Sequence, residues 1–137
     1  RIEELVDAKR QMLHLYREIF ADVTDTYLNP EPPGGRNGAW GTALVVGKSH
    51  GVDKNFIMEE LKKLGVDSRP FFYPLSSLKA YGERSAEMME KNPTAYDVSQ
   101  RGILLPGAFS LGEEQLLDYG NKIRSILGYE VLTEFHG

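Results

Sequence analysis

The sequence predicts an α+β domain of two layers (α/β two-layer), a small sheet of about three strands covered mainly on one face by helices. Three observations carry this. Residues 1–20 show the three-and-four apolar spacing of a half-buried helix. Residues 40–69 read as strand, helix, strand. Residues 110–128 open on a capping signature and stop at a glycine, as a last long helix would. The 137 residues suffice for one buried core and one domain, set at 1–128 with a tail at 129–137.

In the first helix, Ile2, Leu5, Val6, Met12, Leu13, Tyr16, Ile19 and Phe20 form the apolar stripe. Glu3, Glu4, Asp7, Lys9, Arg10, Arg17 and Glu18 form a solvated face, where exposed charge usually lies. Asn29 to Gly38 is a loop dense in proline and glycine. It leads into a strand from Trp40 to Val46, with Thr42, Leu44 and Val46 on one face and Ala43 and Val45 on the other. Gly41 and Ala43 are small enough for another element to approach, and Trp40 is assigned to the core.

Asp53 caps a helix that runs to Leu64 with Ile57, Leu61 and Leu64 as its stripe, and Gly65 takes the position just after it. Val66 to Arg69 is a strand expected beside the Trp40 strand, joined either by a right-handed crossover or as an antiparallel mate. Glu83 to Lys91 and Asn92 to Gln100 read as two short helices, the second with proline at its first position. Gly102 to Pro106 is a buried strand, and Ser110 to Glu113 a capping box. Tyr129 onward carries no clear signal.

Sixteen basic against 20 acidic side chains give a net charge of −4, which argues against a nucleic-acid surface. No apolar run is long enough for a bilayer, and there are no cysteines for disulfides or thiolate chemistry. A cytoplasmic protein fits this composition. The three histidines are widely spaced, so no metal site is expected, and Ser76 and Ser77 lack a histidine to activate them. No glycine-rich phosphate loop precedes a helix. The residues offer no catalytic constellation.

What they do offer is the segment from Val66 to Tyr81, with Arg69, three consecutive aromatics and two serines bounded by Pro70 and Pro74. Loops commonly carry binding residues, and rings with a few polar groups make a ligand wall. Core filling and pocket lining are both open for Phe71, Phe72 and Tyr73. For Arg69 the alternatives are a ligand contact and a salt bridge to a nearby carboxylate.

Four stretches, in order, bear a resemblance: Arg1-Ile-Glu-Glu-Leu with its helix, Asn37-Gly-Ala-Trp40 with its strand, Gly65 to Tyr81, and Leu104-Leu-Pro106 before Ser110-Leu-Gly-Glu-Glu-Gln115. Together they resemble the C-terminal small domain of the DegT/DnrJ/EryC1/StrS nucleotide-sugar aminotransferases, fold-type I pyridoxal-phosphate enzymes. The most specific part is Arg69-Pro-Phe-Phe-Tyr-Pro-Leu75. Ser76 stands where many members have histidine, which looks like the perosamine-synthase branch acting on a GDP-linked 4-keto-6-deoxy sugar. Lys79 replaces the proline usual before Ala-Tyr.

The resemblance implies a sheet-and-helix small domain that lacks the cofactor lysine. Lys48, Lys54, Lys62, Lys63, Lys79, Lys91 and Lys122 are not carried over as that lysine. Pyridoxal 5'-phosphate is implied for the intact enzyme and no bound cofactor for this chain, which by itself is expected to be inactive. The implied partners are an N-terminal cofactor domain, a nucleotide-sugar substrate and a second subunit in a homodimer, with no nucleic acid and no membrane. Substrate contacts are assigned to Arg69, Phe71, Tyr73, Ser76 and Ser77, and Phe72 to the core. The start without Met, inside a helical pattern, is read as a piece of a longer enzyme whose first helix exposes apolar surface. A dehydratase of the same family and a stand-alone nucleotide-sugar binding module are the alternatives.

Overall fold

Helix α1 spans Ile2–Ile19 and turns Met12, Leu13, Leu15, Tyr16 and Ile19 inward. The computed structural model describes residues 1–81 and 85–135, without the side chains of Tyr81 and Ser85. Glu83, the expected start of a helix, and His136 therefore lie outside the described residues. The first turns of α1 leave Ile2 72% and Leu5 38% exposed, so the buried part of the stripe begins at Met12.

Its charged face is more than solvated. Arg17 donates to the Leu28 and Asn29 carbonyls at 3.2 and 2.6 Å, and Arg10 donates to the Asn37 carbonyl and pairs with Glu31 at 3.2 Å. These contacts pin the loop after residue 28, which has few ladder bonds of its own. Asn29 adds a mimic of a strand bond, its side-chain carbonyl accepting from the Ala43 N–H at 2.7 Å.

The sheet has four strands, β1 Thr26–Leu28, β2 Ala43–Val46, β3 Arg69–Pro70 and β4 Gly102–Leu104, all antiparallel in the order β1-β2-β4-β3. Strand β1 is absent from the sequence reading, because three residues give no measurable alternation. The Trp40 strand begins only at Ala43. The expected neighbourhood of Val66–Arg69 is also corrected. Strand β4 lies between β2 and β3, and β3 forms the edge. The reason is chemical: Pro70 has no N–H to donate and suits an edge, whereas Gly102 and Ile103 are buried and suit the centre.

Helix α2, Lys54–Lys63, is capped by the Asp53 carboxylate accepting from the Phe56 N–H at 2.9 Å, a contact that typically contributes about 1 kcal/mol. Gly65 takes φ +74°, the left-handed turn that glycine adopts without strain. Ile57 and Leu61 are buried as expected, but Leu64 is 46% exposed, and Val66 fills the core position instead. Helices α3, Ser85–Lys91, and α4, Pro93–Arg101, follow. Helix α5 spans Glu113–Ile126, with Gly112 at its cap, its N–H donating to the Gln115 side chain at 3.0 Å. The expected capping box at Ser110 is thus displaced by two residues, because a turn closed by the Leu111 N–H on the Ala108 carbonyl absorbs Ser110.

Leu44, Val46 and Ile103 face a core completed by α1, α2 and α5. The opposite face is where Gly102 looks outward: a Cβ there would lie 3.1 Å from the Val98 carbonyl of α4 and 2.8 Å from the Phe71 Cβ. Close approach occurs at Gly102, at Gly47 against Asp25 and at Gly120, 2.6 Å from Ile19, whereas Gly41 makes only ordinary contact with Leu104 at 3.7 Å. Asn121 of α5 exchanges hydrogen bonds with the backbone of Leu132 in the following segment, where Tyr129, Leu132 and Phe135 pack on the core.

One ion cluster fastens α4 to the sheet. Asp97 accepts from Arg101 and from Lys48 at 3.1 Å, and Arg101 also donates to the Val46 carbonyl at 2.5 Å. The Arg101 and Lys48 donors lower the Asp97 pKa to about 2. A carboxyl depressed in the folded state stabilises fully above its unfolded pKa and loses that contribution as pH falls through the folded value. Denaturant midpoints measured from pH 7 downward should therefore separate wild type from Asp97→Asn at neutral pH, and the two curves should converge between about 4 and 2. A constant gap down to pH 2 would contradict this.

Candidate functional site

Strand β3 sets the geometry. Arg69 pairs with Leu104, and the Phe71 N–H bonds the Gly102 carbonyl at 2.9 Å, so Arg69 and Phe71 leave the sheet on the face opposite the main core. Pro74 then turns the chain into a short 3-10 turn, Leu75–Ser77.

Two openings flank this segment. Arg69 lines a cleft of about 410 Å³ with Lys9, Trp40 and Asp67. Phe71, Phe72 and Tyr73 line a groove of about 670 Å³ against Asn92, Pro93 and Val98 at the start of α4. Trp40 and Phe72 join the two, their rings stacked 5.9 Å apart at 27°. Trp40 is 68% and Phe72 60% exposed. The core assignments of both are therefore corrected: on this face no element covers them among the described residues. Phe71 is half-buried, wedged over Gly102 and tilted against Phe72 at 5.8 Å.

The five sequence-assigned residues do not share one opening. Arg69 is exposed and has no ion pair or hydrogen bond among the described residues, so the salt-bridge alternative does not hold there. Tyr73 is exposed on its outer side, while the Lys54 amine lies 4.1 Å beneath its ring. The Ser76 hydroxyl shares a 3.0 Å hydrogen bond with the Tyr96 hydroxyl, and the Ser77 hydroxyl donates to the Pro74 carbonyl at 2.7 Å. Ser76 thus braces the turn against α4, and Ser77 closes the turn on its own backbone.

Two lysines at the site were not singled out from sequence. Lys9 donates to the Gly107 carbonyl and sits 4.6 Å from the Phe109 ring centre, so its charge lies on the rim of the Arg69 cleft. Nothing distinguished it from six other charges on α1. Lys54 follows the Asp53 cap, an ordinarily solvated position, yet is only 2% exposed.

Chemically, an exposed guanidinium beside a stacked aromatic pair can bind an oxyanion attached to a flat or ring-shaped group. Among the described residues no cluster of His, Cys, Asp or Glu could hold a metal ion, and no helix is long and apolar enough to cross a membrane.

The model of the DegT/DnrJ/EryC1/StrS aminotransferase family matches residues 1–124. A GDP-perosamine synthase of Vibrio cholerae is 30% identical over 125 residues, covering 91% of this chain and 33% of its own length. A GDP-perosamine synthase of Escherichia coli O157:H7 is 38% identical over 52 residues, 38% of this chain and 13% of that protein. The chain thus spans at most about a third of these curated relatives. The fold matches the structure of DesI in the presence of its TDP-sugar product, with TM-score 0.76 at 22% identity over 89% of this chain and 31% of that one. It also matches the aminotransferase TlmJ of Streptoalloteichus hindustanus, with TM-score 0.73 at 18% identity over 90% and 32%. The chain belongs to the DegT/DnrJ/EryC1/StrS aminotransferase family.

Proposed function

We propose that this chain is the C-terminal small domain of a pyridoxal-phosphate-dependent, homodimeric cytoplasmic aminotransferase acting on a nucleotide-linked 4-keto-6-deoxy sugar. Its role is to supply the substrate-side wall beside a cofactor domain carried elsewhere in the polypeptide. The observation that carries this reading is Arg69, without an ion pair among the described residues, in a cleft bordered by the exposed Trp40–Phe72 stack. Arg69 would bind a phosphate oxygen of the substrate, with the rings against sugar or base. The similarity to GDP-perosamine synthases supports the substrate class.

When bound, pyridoxal phosphate supplies the electron sink for amino-group transfer. The residues described here do not fit a site for it. Lys48, Lys63, Lys91 and Lys122 are engaged in ion pairs, Lys9 donates to a carbonyl, and the Lys54 amine is covered by Tyr73. Lys62 and Lys79 are exposed. A Schiff-base lysine needs a desolvated amine open to a ligand. No step through the cofactor is assigned to this chain.

The test uses the longer polypeptide and calorimetric titration with the GDP-linked 4-keto-6-deoxy sugar. Arg69→Leu should weaken binding about tenfold to a hundredfold, the value of a charge-assisted hydrogen bond to phosphate. Unchanged affinity would remove Arg69 from the wall. Tight binding of the same ligand by the 137-residue chain alone would favour a free-standing module instead.

A further inference from the structure

Lys54 occupies a position that physical chemistry disfavours twice. It is the first residue of α2, where the helix dipole repels a cation. It is also buried, and its Nζ has no hydrogen-bond acceptor among the described residues, although an unpaired ammonium is costly to desolvate. The neighbouring Asp53 carboxylate accepts from the Phe56 N–H and makes no ion pair with Lys54 among the described residues. One favourable contact remains, the face of Tyr73 with its centre 4.1 Å from Nζ. Cation–π attraction strengthens when the cation is desolvated, and this one is.

Tyr73 is the opposite case. Its ring is 55% exposed, it follows the last residue of β3 by three positions, and among the described residues no ring–ring contact holds it. Left alone, such a side chain would sample several rotamers. We infer that Lys54 is a positioning residue that fixes the Tyr73 ring on the aromatic wall from beneath, so that Tyr73 meets ligand in one orientation. This rests on the wall reading above, and it assigns to α2, an element outside both openings, a part in recognition. A methionine would fill the same volume more cheaply, which gives the buried amine a purpose beyond packing.

The test has two independent arms. In the 137-residue chain, the Lys54 ε-methylene protons should show an upfield ring-current shift that Tyr73→Leu removes. A cycle of Lys54→Met, Tyr73→Leu and the double variant should show coupling in unfolding equilibria of about tenfold, or about 1.4 kcal/mol. In the intact enzyme, Lys54→Met should raise KM for the nucleotide sugar about tenfold with kcat within about twofold, and Lys54→Arg should restore most of it. Additive variants without a ring-current shift would overturn the inference. So would a raised KM in Tyr73→Leu with none in Lys54→Met, in which case the wall reading survives. Coupling in the chain with KM unchanged in both variants would remove Tyr73 from the wall, and with it the recognition role of Lys54, while leaving the Arg69 cleft to its own test.

Discussion

Replacing Arg124 with methionine is expected to destabilise the fold by about 1–3 kcal/mol, the usual cost of leaving a buried acceptor without its donor, because the Asp22 carboxylate it pairs with is itself largely exposed. The guanidinium is 2% exposed and reaches four acceptors. It donates to the Ile19 carbonyl at 2.6 Å, to the Glu130 carbonyl at 2.7 Å, and through both terminal nitrogens to the Asp22 carboxylate. One side chain on α5 thereby satisfies the end of α1 and ties down the segment after α5. The Asp22 carboxylate also holds the guanidinium pKa above its ordinary value, so the charge persists at every accessible pH. Methionine matches the apolar stem and leaves the buried Ile19 carbonyl, and the partly exposed Glu130 carbonyl, without this donor. Urea denaturation of the 137-residue chain measures the loss, and the melting temperature should fall by on the order of 10 °C. Lysine should rescue only in part, since one ammonium cannot reproduce the fork. A loss below about 1 kcal/mol would show that water replaces the guanidinium at these carbonyls.

Gly102→Ala is expected to cost about 1–3 kcal/mol by overpacking and, in addition, to move the aromatic segment. The new methyl would meet the Phe71 Cβ at 2.8 Å and Cγ at 3.1 Å, and the Val98 carbonyl at 3.1 Å. A Cβ cannot swing away as the end of a long side chain can. The Phe71 backbone is held by its hydrogen bond to Gly102 itself and by the preceding proline. Relief therefore requires β3 to shift, carrying Phe72 off Trp40. Trp40 is the only tryptophan, so its emission reports that stack directly. Gly120→Ala is the control, because its methyl strikes Ile19 at 2.6 Å in the core between α1 and α5. It should destabilise the chain while leaving Trp40 emission unchanged. Identical emission in wild type and Gly102→Ala would mean that the aromatic segment is not coupled to β4.

The helices were legible because their signals are local. Asp53 and Gly65 bracket α2, and Leu44 and Val46 alternate with Ala43 and Val45 as a half-buried strand requires. The Arg69–Leu75 segment stood out by composition alone. Trp40 and Phe72 were misplaced because hydrophobicity predicts a tendency to burial, whereas actual burial depends on whether another element reaches that face. Lys54 is not legible as a buried residue because its charge suggests solvent, and the Tyr73 ring that meets its amine lies nineteen positions further along the chain.

The sequence by itself determined the α+β class, the caps of α2, the aromatic segment and its likeness to one aminotransferase family. Each depends on residues within a few positions of one another or on ordered local motifs. The tertiary structure alone decided that β4 separates β2 from β3, that Arg69 and Tyr73 face different openings, and that Arg124 and Lys54 are buried cations. Those depend on contacts between residues far apart in the chain. Pairing across a sheet and shielding from water are set by the whole packed chain, and no single stretch encodes them.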